Sequence, residues 1–559
     1  MKFLKRFGKS FSTRAGTFVF FSLAATAFFC LLSAKWAYGW IAELYPLGEN
    51  FIPTLFVLIS ICGAVTFSAM FLVKALKANR ALRIVHAVFA VLTGALFVYT
   101  IVLLFGFDKG IDPGALRQGA ATLAPNLPFI GVAVGLPFAF LIFPKLKKTA
   151  RVVTAILVSI AVVVPLLAIY AFVPKIPFAL SANPLVLDIG GDNYSVVFAT
   201  NRTSTGYLTY EYEGETVTLA DASHGRMDTA RIHQFTVPRA HLNGNSYSVA
   251  AREVISAADL GAEYGEAIKS ETYQFKGDYK DALNILIASD WHDNPANLLA
   301  AAANFPEPDL FLMLGDHASN YNSEDELILH TIAAGADATK SVIPAVFVRG
   351  NHEMGGNIAD IVFDNLGLDR FYYQVERGNY VITVADSAVD HEPDRTESKG
   401  FPDFPVGSVN SECGAYRDEQ LDWLEALPAR AEGTFHISAV HIPGYDPTDK
   451  TRQERFWNTM QRLGADIQVS GHHHRLRLLL PDGREPEYAA SLPRGSEESD
   501  RERYALSYPL LIDGGPKDGG YSGTYVCSMA QVSADGTVQI TSYDSLNEKL
   551  LNETLALAF

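Results

Sequence analysis

Residues 342–353 read Val342-Ile343-Pro344-Ala345-Val346-Phe347-Val348-Arg349-Gly350-Asn351-His352-Glu353. An apolar run stops abruptly at a polar cluster, as expected for a strand buried on both faces of a sheet. The pattern recurs on either side. Leu283-Asn284-Ile285-Leu286-Ile287-Ala288-Ser289 leads into Asp290-Trp291-His292, and Asp309-Leu310-Phe311-Leu312-Met313-Leu314 into Gly315-Asp316. Phe435-His436-Ile437-Ser438-Ala439-Val440 leads into His441, and Ile467-Gln468-Val469-Ser470 into Gly471-His472-His473-His474. In layered α/β folds, sites gather at the carboxyl ends of strands. These ends supply Asp, His and Asn together, the oxygen and nitrogen donors of a transition-metal site.

Taken in order, Asp-x-His, Gly-Asp, Gly-Asn-His-Glu, a lone His and Gly-His-x-His resemble the calcineurin-like metallophosphoesterase superfamily over roughly residues 283–545. The string Gln420-Leu421-Asp422-Trp423-Leu424 resembles the helix that this family places before the lone-His strand. His441-Ile442-Pro443-Gly444-Tyr445 points toward the purple acid phosphatase branch. The resemblance implies an α/β/β/α four-layer domain and two divalent or trivalent ions (Mn, Fe or Zn). It also implies a small phosphorylated substrate. Asp290, His292 and His474 would bind the first metal; Asn351, His441 and His472 would bind the second, with Asp316 bridging. His352 would face the leaving oxygen, and Glu353 would orient His352 from behind. Such a pair of cations neutralises an anionic ester and acidifies a water near neutral pH.

Two positions depart from that branch. His292 stands where it has Gly, and Ser319 where it has Tyr. Imidazole thus replaces phenolate, which argues against an Fe(III)–tyrosinate pair; Tyr321 lies two residues beyond. His317, His473, Arg349, Arg475 and Tyr445 flank the motif and are candidate substrate contacts, with pocket lining or a solvent-facing strand position as the plainer reading of each.

The chain has 559 residues, a net charge of −16 and four cysteines. Three or four domains fit that length, while a disulfide scaffold or thiolate zinc cluster does not fit so few cysteines. Charge is unevenly placed. Residues 1–175 are basic and apolar, with Glu43, Glu49, Asp108 and Asp112 as their acids, and the remainder is strongly acidic. An acidic body argues against nucleic acid as a partner. Five apolar stretches, about 17–34, 52–73, 84–106, 127–143 and 152–173, each approach the ~20 residues that cross a bilayer. The first is too long for a signal-peptide core and reads as a retained anchor. Lys and Arg cluster before the first stretch, between the second and third, and between the fourth and fifth. This places the N-terminus in the cytoplasm and everything after Lys175 outside, in a multi-pass membrane protein of bacterial type. The spans lack charge near their middles, which favours an anchor over a transporter.

Residues 182–276 read as short strands separated by turns, an all-β sandwich that looks like the fibronectin type III-like domain preceding the catalytic domain of purple acid phosphatases. The expected order is therefore a transmembrane block (1–176), a sandwich (182–276), a metallophosphoesterase domain (283–545) and a tail (546–559). Two other readings are a metal-binding receptor or scaffold without catalysis, and, among enzymes, a phosphodiesterase rather than a phosphomonoesterase. The contacts that separate the last two are expected in loops such as 387–418.

Overall fold

The strands Leu283–Ala288, Leu310–Met313 and Ala345–Phe347 lie side by side and parallel. Apart from the half-buried Asn284, all three are apolar and deeply buried, as strands covered on both faces must be. The structure is a computed structural model that describes residue 153 and residues 177–258, 261–388, 413–492, 503–504, 506–516 and 524–557. Within it, Phe178–Phe559 form one compact unit. The five stretches read as membrane spans lie outside the described residues, apart from Val153. Among the described residues no helix is long and apolar enough to cross a membrane.

Two sheets face each other. The first has 13 strands, ordered through Lys549–Ala556, Thr537–Asp544, Val526–Val532, Leu283–Ala288, Leu310–Met313, Ala345–Phe347, Leu180–Asp188, Asn193–Tyr212, Ser246–Ala258 and Gly261–Lys269. The second has six, ordered Tyr373–Arg377, Tyr380–Ala385, Phe435–Val440, Ile467–Ser470, Leu510–Ile512 and Arg477–Leu479. One apolar core joins them, with Ile285, Phe311 and Val346 from the first sheet and Ile437, Val469 and Leu511 from the second.

Helices cover the outer faces. Pro295–Ala302 packs on Val526–Val532, and Ala334–Thr339 packs on Leu180–Asp188. Cys413–Ala426 and Lys450–Leu463 cover the second sheet, burying Leu421, Leu424, Phe456 and Met460 against Ala385 and Val440. The Lys450–Leu463 helix has clear ends. The Asp449 carboxylate accepts from the N–H groups of Thr451 and Arg452, and Gly464 closes the helix at φ 81°.

The segment read as an all-β sandwich over 182–276 shares a sheet with the rest of the unit. Its strands are present and enclose a core of their own around Phe198, Phe235, Tyr247 and Phe275. However, Leu180–Asp188 pairs in parallel with Ala345–Phe347 (Leu187 opposite Ala345), so the segment continues the first sheet. The strands Val526–Val532 and Thr537–Asp544 also extend the first sheet, through Leu283–Ala288. Lys549–Ala556, in the stretch read as a tail, is that sheet's edge strand. Cys413 and Cys527 are both buried and free.

Candidate metal centre

Every parallel strand singled out in the sequence delivers its polar cluster to the same end of the two sheets. The turns there are sharp. Asp290, His292, Asp316, His472 and His474 all have positive φ, between 33° and 70°. Non-glycine residues hold such angles at a cost of roughly 1–3 kcal/mol each, and they concentrate at functional sites. Glycines allow the turns to meet. A Cβ on Gly350 would lie 2.2 Å from Asp316 Oδ1, and one on Gly315, itself at φ 92°, would lie 2.5 Å from the Gly350 nitrogen.

The side chains converge as two groups. Donor atoms of Asp290, His292, Asp316 and His474 lie within 4.8 Å of one another, as do those of Asp316, His441 and His472. Asn351 joins the second group through Oδ1, 2.9 Å from His472 Nδ1 and 3.2 Å from His441 Nε2. Asp316 belongs to both. Its Oδ1 accepts from the His352 N–H at 2.9 Å. That leaves Oδ2 facing His441 Nε2 at 3.1 Å and His292 Nε2 at 3.8 Å. Across the first group, His292 Nε2 and His474 Nε2 stand 3.0 Å apart.

Neighbouring groups fix the ligand orientations. His441 Nδ1–H donates to the Leu314 carbonyl at 2.6 Å, so Nε2 is the nitrogen that faces the site. Asp290 accepts from Ser289 Oγ at 2.5 Å and from the His472 N–H at 2.9 Å. Electrostatics reflect the crowding. Burial works to raise Asp290, but the hydrogen bond from His474 and the charge of His441 hold it below the usual carboxylate range. Burial also works to raise Asp316, and His441 outweighs it. His441 is pushed up to about 10: its burial opposes this, and the Asp316 carboxylate prevails. His292 is lowered, chiefly by burial. Buried carboxylates, imidazoles and an amide oxygen turned toward common points are a donor set that fits metal ions.

His352 stands at the rim, about a third exposed. Its Nδ1–H donates to the Ser319 carbonyl at 2.7 Å, and its Nε2 lies 4.0 Å from Asp316 Oδ2. Ser319, the position where a tyrosine ligand was looked for, thus contributes its backbone. Tyr321 is wholly buried, bonded to Thr331 Oγ1 at 2.7 Å and to Glu353 Oε1 at 3.1 Å, and is not a ligand.

Several expectations need correction. Glu353 does not contact the His352 side chain in the bonds it makes. Its carboxylate accepts the N–H groups of Asp316, His317 and Gly350 at 2.8–2.9 Å, so it clamps two ligand turns together. His317 is wholly buried and stacked on Trp291, with Nε2 accepting from the Gly315 N–H and Nδ1 3.2 Å from Glu353. It supports the Glu353 clamp and does not line a substrate pocket. Tyr445 is buried, stacked on Phe456 at 4.5 Å with its hydroxyl on the Arg417 carbonyl. Arg349 pairs with the buried Asp386 at 2.5 Å and lies over the Phe371 ring. Neither Tyr445 nor Arg349 is placed to take phosphate. His473 remains beside the site, half-buried, with Nε2 2.8 Å from the Tyr504 hydroxyl. Arg475 is half-buried near it.

Asp513 is a further polar residue at a strand end, outside the motif order. It follows the buried strand Leu510–Ile512 in the same apolar-then-polar pattern as the ligands, and this pattern was the available signal. Asp513 is buried and accepts from Ser528 Oγ at 2.6 Å, linking the second sheet to the first. Of the loop 387–418, residues 389–412 lie outside the described residues. The Ser387 carbonyl at its start accepts from Arg417, at 3.0 Å from Nε and 2.7 Å from Nη2.

Residues 283–476 match the family model described as calcineurin-like phosphoesterase. No curated protein matches the chain. Among solved structures, the chain is similar to the purple acid phosphatase PPD1 from yellow lupin (Lupinus luteus) seeds, at 13% identity over 67% of this chain and 74% of that one, with a TM-score of 0.43. It is also similar to a metallophosphoesterase from Sphaerobacter thermophilus, at 12% identity over 49% and 89% of the two chains and a TM-score of 0.21. A third similarity is to a cold-active protein-tyrosine phosphatase of a Shewanella species, at 10% identity over 65% and 99% and a TM-score of 0.23. The chain carries a calcineurin-like phosphoesterase domain and is a metal-dependent phosphoric ester hydrolase.

Proposed function

We propose that the chain hydrolyses small phosphate esters at a dinuclear centre, outside the cytoplasm, while anchored by residues 1–176. The observation that carries the catalytic part is Asp316 Oδ2, which faces donor atoms of both ligand groups and, at 4.0 Å, His352 Nε2. In this reading Asp290, His292 and His474 hold one cation, and Asn351, His441 and His472 hold the other. Asp316 is shared between them. Such a pair, when bound, offsets the negative charge of the ester and supplies a water acidic enough to attack near neutral pH.

The chain's own residues then do three things. The three turns that carry the five positive-φ residues keep the ligands converged without further rearrangement. The Ser319 carbonyl keeps the His352 ring oriented through Nδ1–H, so a protonated His352 presents Nε2–H to the leaving oxygen. Glu353 fixes the Asp316 and Gly350 turns at a constant separation. A binding protein has no use for a histidine at the position of His352, which favours an enzyme over a receptor.

The anchoring part is supported by the five apolar stretches and the segregation of their Lys and Arg. Reporter fusions after Lys175 are expected to report an outside location, and a cytoplasmic signal would reject that topology. For the chemistry, the purified full chain with Mn(II) is assayed on p-nitrophenyl phosphate and bis-p-nitrophenyl phosphate. Hydrolysis of either that is lost in His352→Ala with metal content retained supports the reading. Absence of hydrolysis of both in the wild type, with metal bound, would support the receptor instead.

A further inference from the structure

The turn that bears Asp290 and His292 is strained and must be held. Asp290, His292 and Asp293 have φ of 57°, 33° and 65°, a sparsely populated region for residues with side chains. Backbone bonds join this turn to the next one: the N–H groups of Asp290, His292 and Asp293 donate to the carbonyls of Gly315, Asp316 and His317. Those bonds couple one ligand-bearing turn to another. The side chain between the two ligands reaches further, to the outer helical layer.

Trp291 is 1% exposed. Its ring stacks on His317 at 4.2 Å, and its Nε1–H donates to the His330 carbonyl at 2.8 Å. His330 lies in a π-helix, Leu327–Ala333, that runs into the helix Ala334–Thr339 and packs on the strand Leu180–Asp188. Helical turns of this wide type are rare and occur frequently at functional sites. A carbonyl oxygen has two lone pairs, so the His330 oxygen can serve the helix and the indole together.

We propose that Trp291 is a positioning residue for the first cation: its Nε1–H, tied to the π-helix carbonyl of His330, holds Asp290 and His292 in the turn that faces them toward Asp316 and His474. The inference rests on reading those four residues as ligands. It separates Trp291 from an ordinary core tryptophan, whose loss lowers stability without favouring one cation over the other. Groups that orient metal ligands from behind are typically worth about 10- to 100-fold in metal affinity.

The test uses the full chain, stripped with chelator and titrated with Mn(II), with free ion followed by electron paramagnetic resonance. The wild type is expected to take up two ions. In Trp291→Phe, one of the two is expected to bind about 10- to 100-fold more weakly while the other keeps its affinity. KM for p-nitrophenyl phosphate at saturating Mn(II) is expected to stay near the wild-type value. Benzothienylalanine at position 291 keeps the ring, replaces the N–H with sulfur, and is expected to show the same selective loss even if the Phe variant does not fold. Two ions bound with wild-type affinity in that variant would overturn the inference and leave the metal centre standing. A wild-type chain that takes up no Mn(II), Zn(II) or Fe(II) would overturn the metal reading, and the inference with it.

Discussion

The His352 ring is held by the Ser319 carbonyl, 2.7 Å from Nδ1, with Nε2 directed at the Asp316 edge of the site. The bond to a carbonyl requires the proton on Nδ1, so Nε2 is the nitrogen that faces the site. His441 is held in the same way, but His352 stands outside both groups of converging donor atoms, and the proposed reading makes it the proton donor to the leaving group.

His352→Ala is therefore expected to lower kcat by about 100- to 10,000-fold with bound metal unchanged. The loss is expected to be larger for alkyl phosphates than for p-nitrophenyl phosphate, whose leaving group needs no proton. Steady-state assays on the two substrates, with metal measured on the same preparations, check this. An equal loss on both would remove His352 from the donor role.

Glu353 is expected to matter first for the fold of the site. Glu353→Ala strands three N–H groups, those of Asp316, His317 and Gly350, in a buried place. Each stranded group costs about 1–3 kcal/mol. The metal-free chain is expected to melt well below the wild type and to lose the shared Asp316 geometry, hence metal. A variant with wild-type melting and metal content would show that the clamp is dispensable.

Arg349→Ala is expected to act on stability and not on substrate affinity. It leaves the buried Asp386 without its guanidinium, a loss of about 3 kcal/mol or more for a buried pair. Thermal melts and KM separate the two outcomes: a lower melting temperature with KM within about twofold is expected, using the factor that a few tenths of a kcal/mol represents. A raised KM with unchanged melting would return Arg349 to the substrate pocket.

Asp513 gives the chain a pH dependence of defined sign. Burial pushes its carboxyl up to about 8, against the hydrogen bond from Ser528. The folded chain then keeps a proton that the unfolded chain releases near pH 4, the ordinary carboxyl value of about 3.9. Its contribution is largest below that value and is lost as pH rises toward about 8. Asp513→Asn removes this slope. Melts of the metal-free protein between pH 5 and pH 8 are expected to fall less for the variant than for the wild type. Parallel curves would contradict the raised value.

The converging residues were legible because each sits where a buried strand ends, and the apolar run announces the strand before the polar cluster announces the site. Asp290, His292, Asp316, Asn351, His441, His472 and His474 follow that rule, and the structure brings them together. What Glu353, His317, Tyr445 and Arg349 do was not legible in the same way. Their partners, such as the Asp316 N–H, the Trp291 ring, the Arg417 carbonyl and Asp386, lie elsewhere in the chain, and no local pattern encodes those meetings. Sheet membership was hidden for a similar reason. The strands of 180–274 read alike whether they close on themselves or join a neighbour, and the pairing of Leu187 with Ala345 decides it.

The central claim is that cations shared through Asp316 make this chain a hydrolase. The most direct measurement is the hydrolysis of p-nitrophenyl phosphate by chelator-stripped full chain as Mn(II) is added back. Activity absent at the start and restored at about two ions per chain is the predicted result, as expected of a two-metal site. Hydrolysis undiminished in the stripped protein would contradict it.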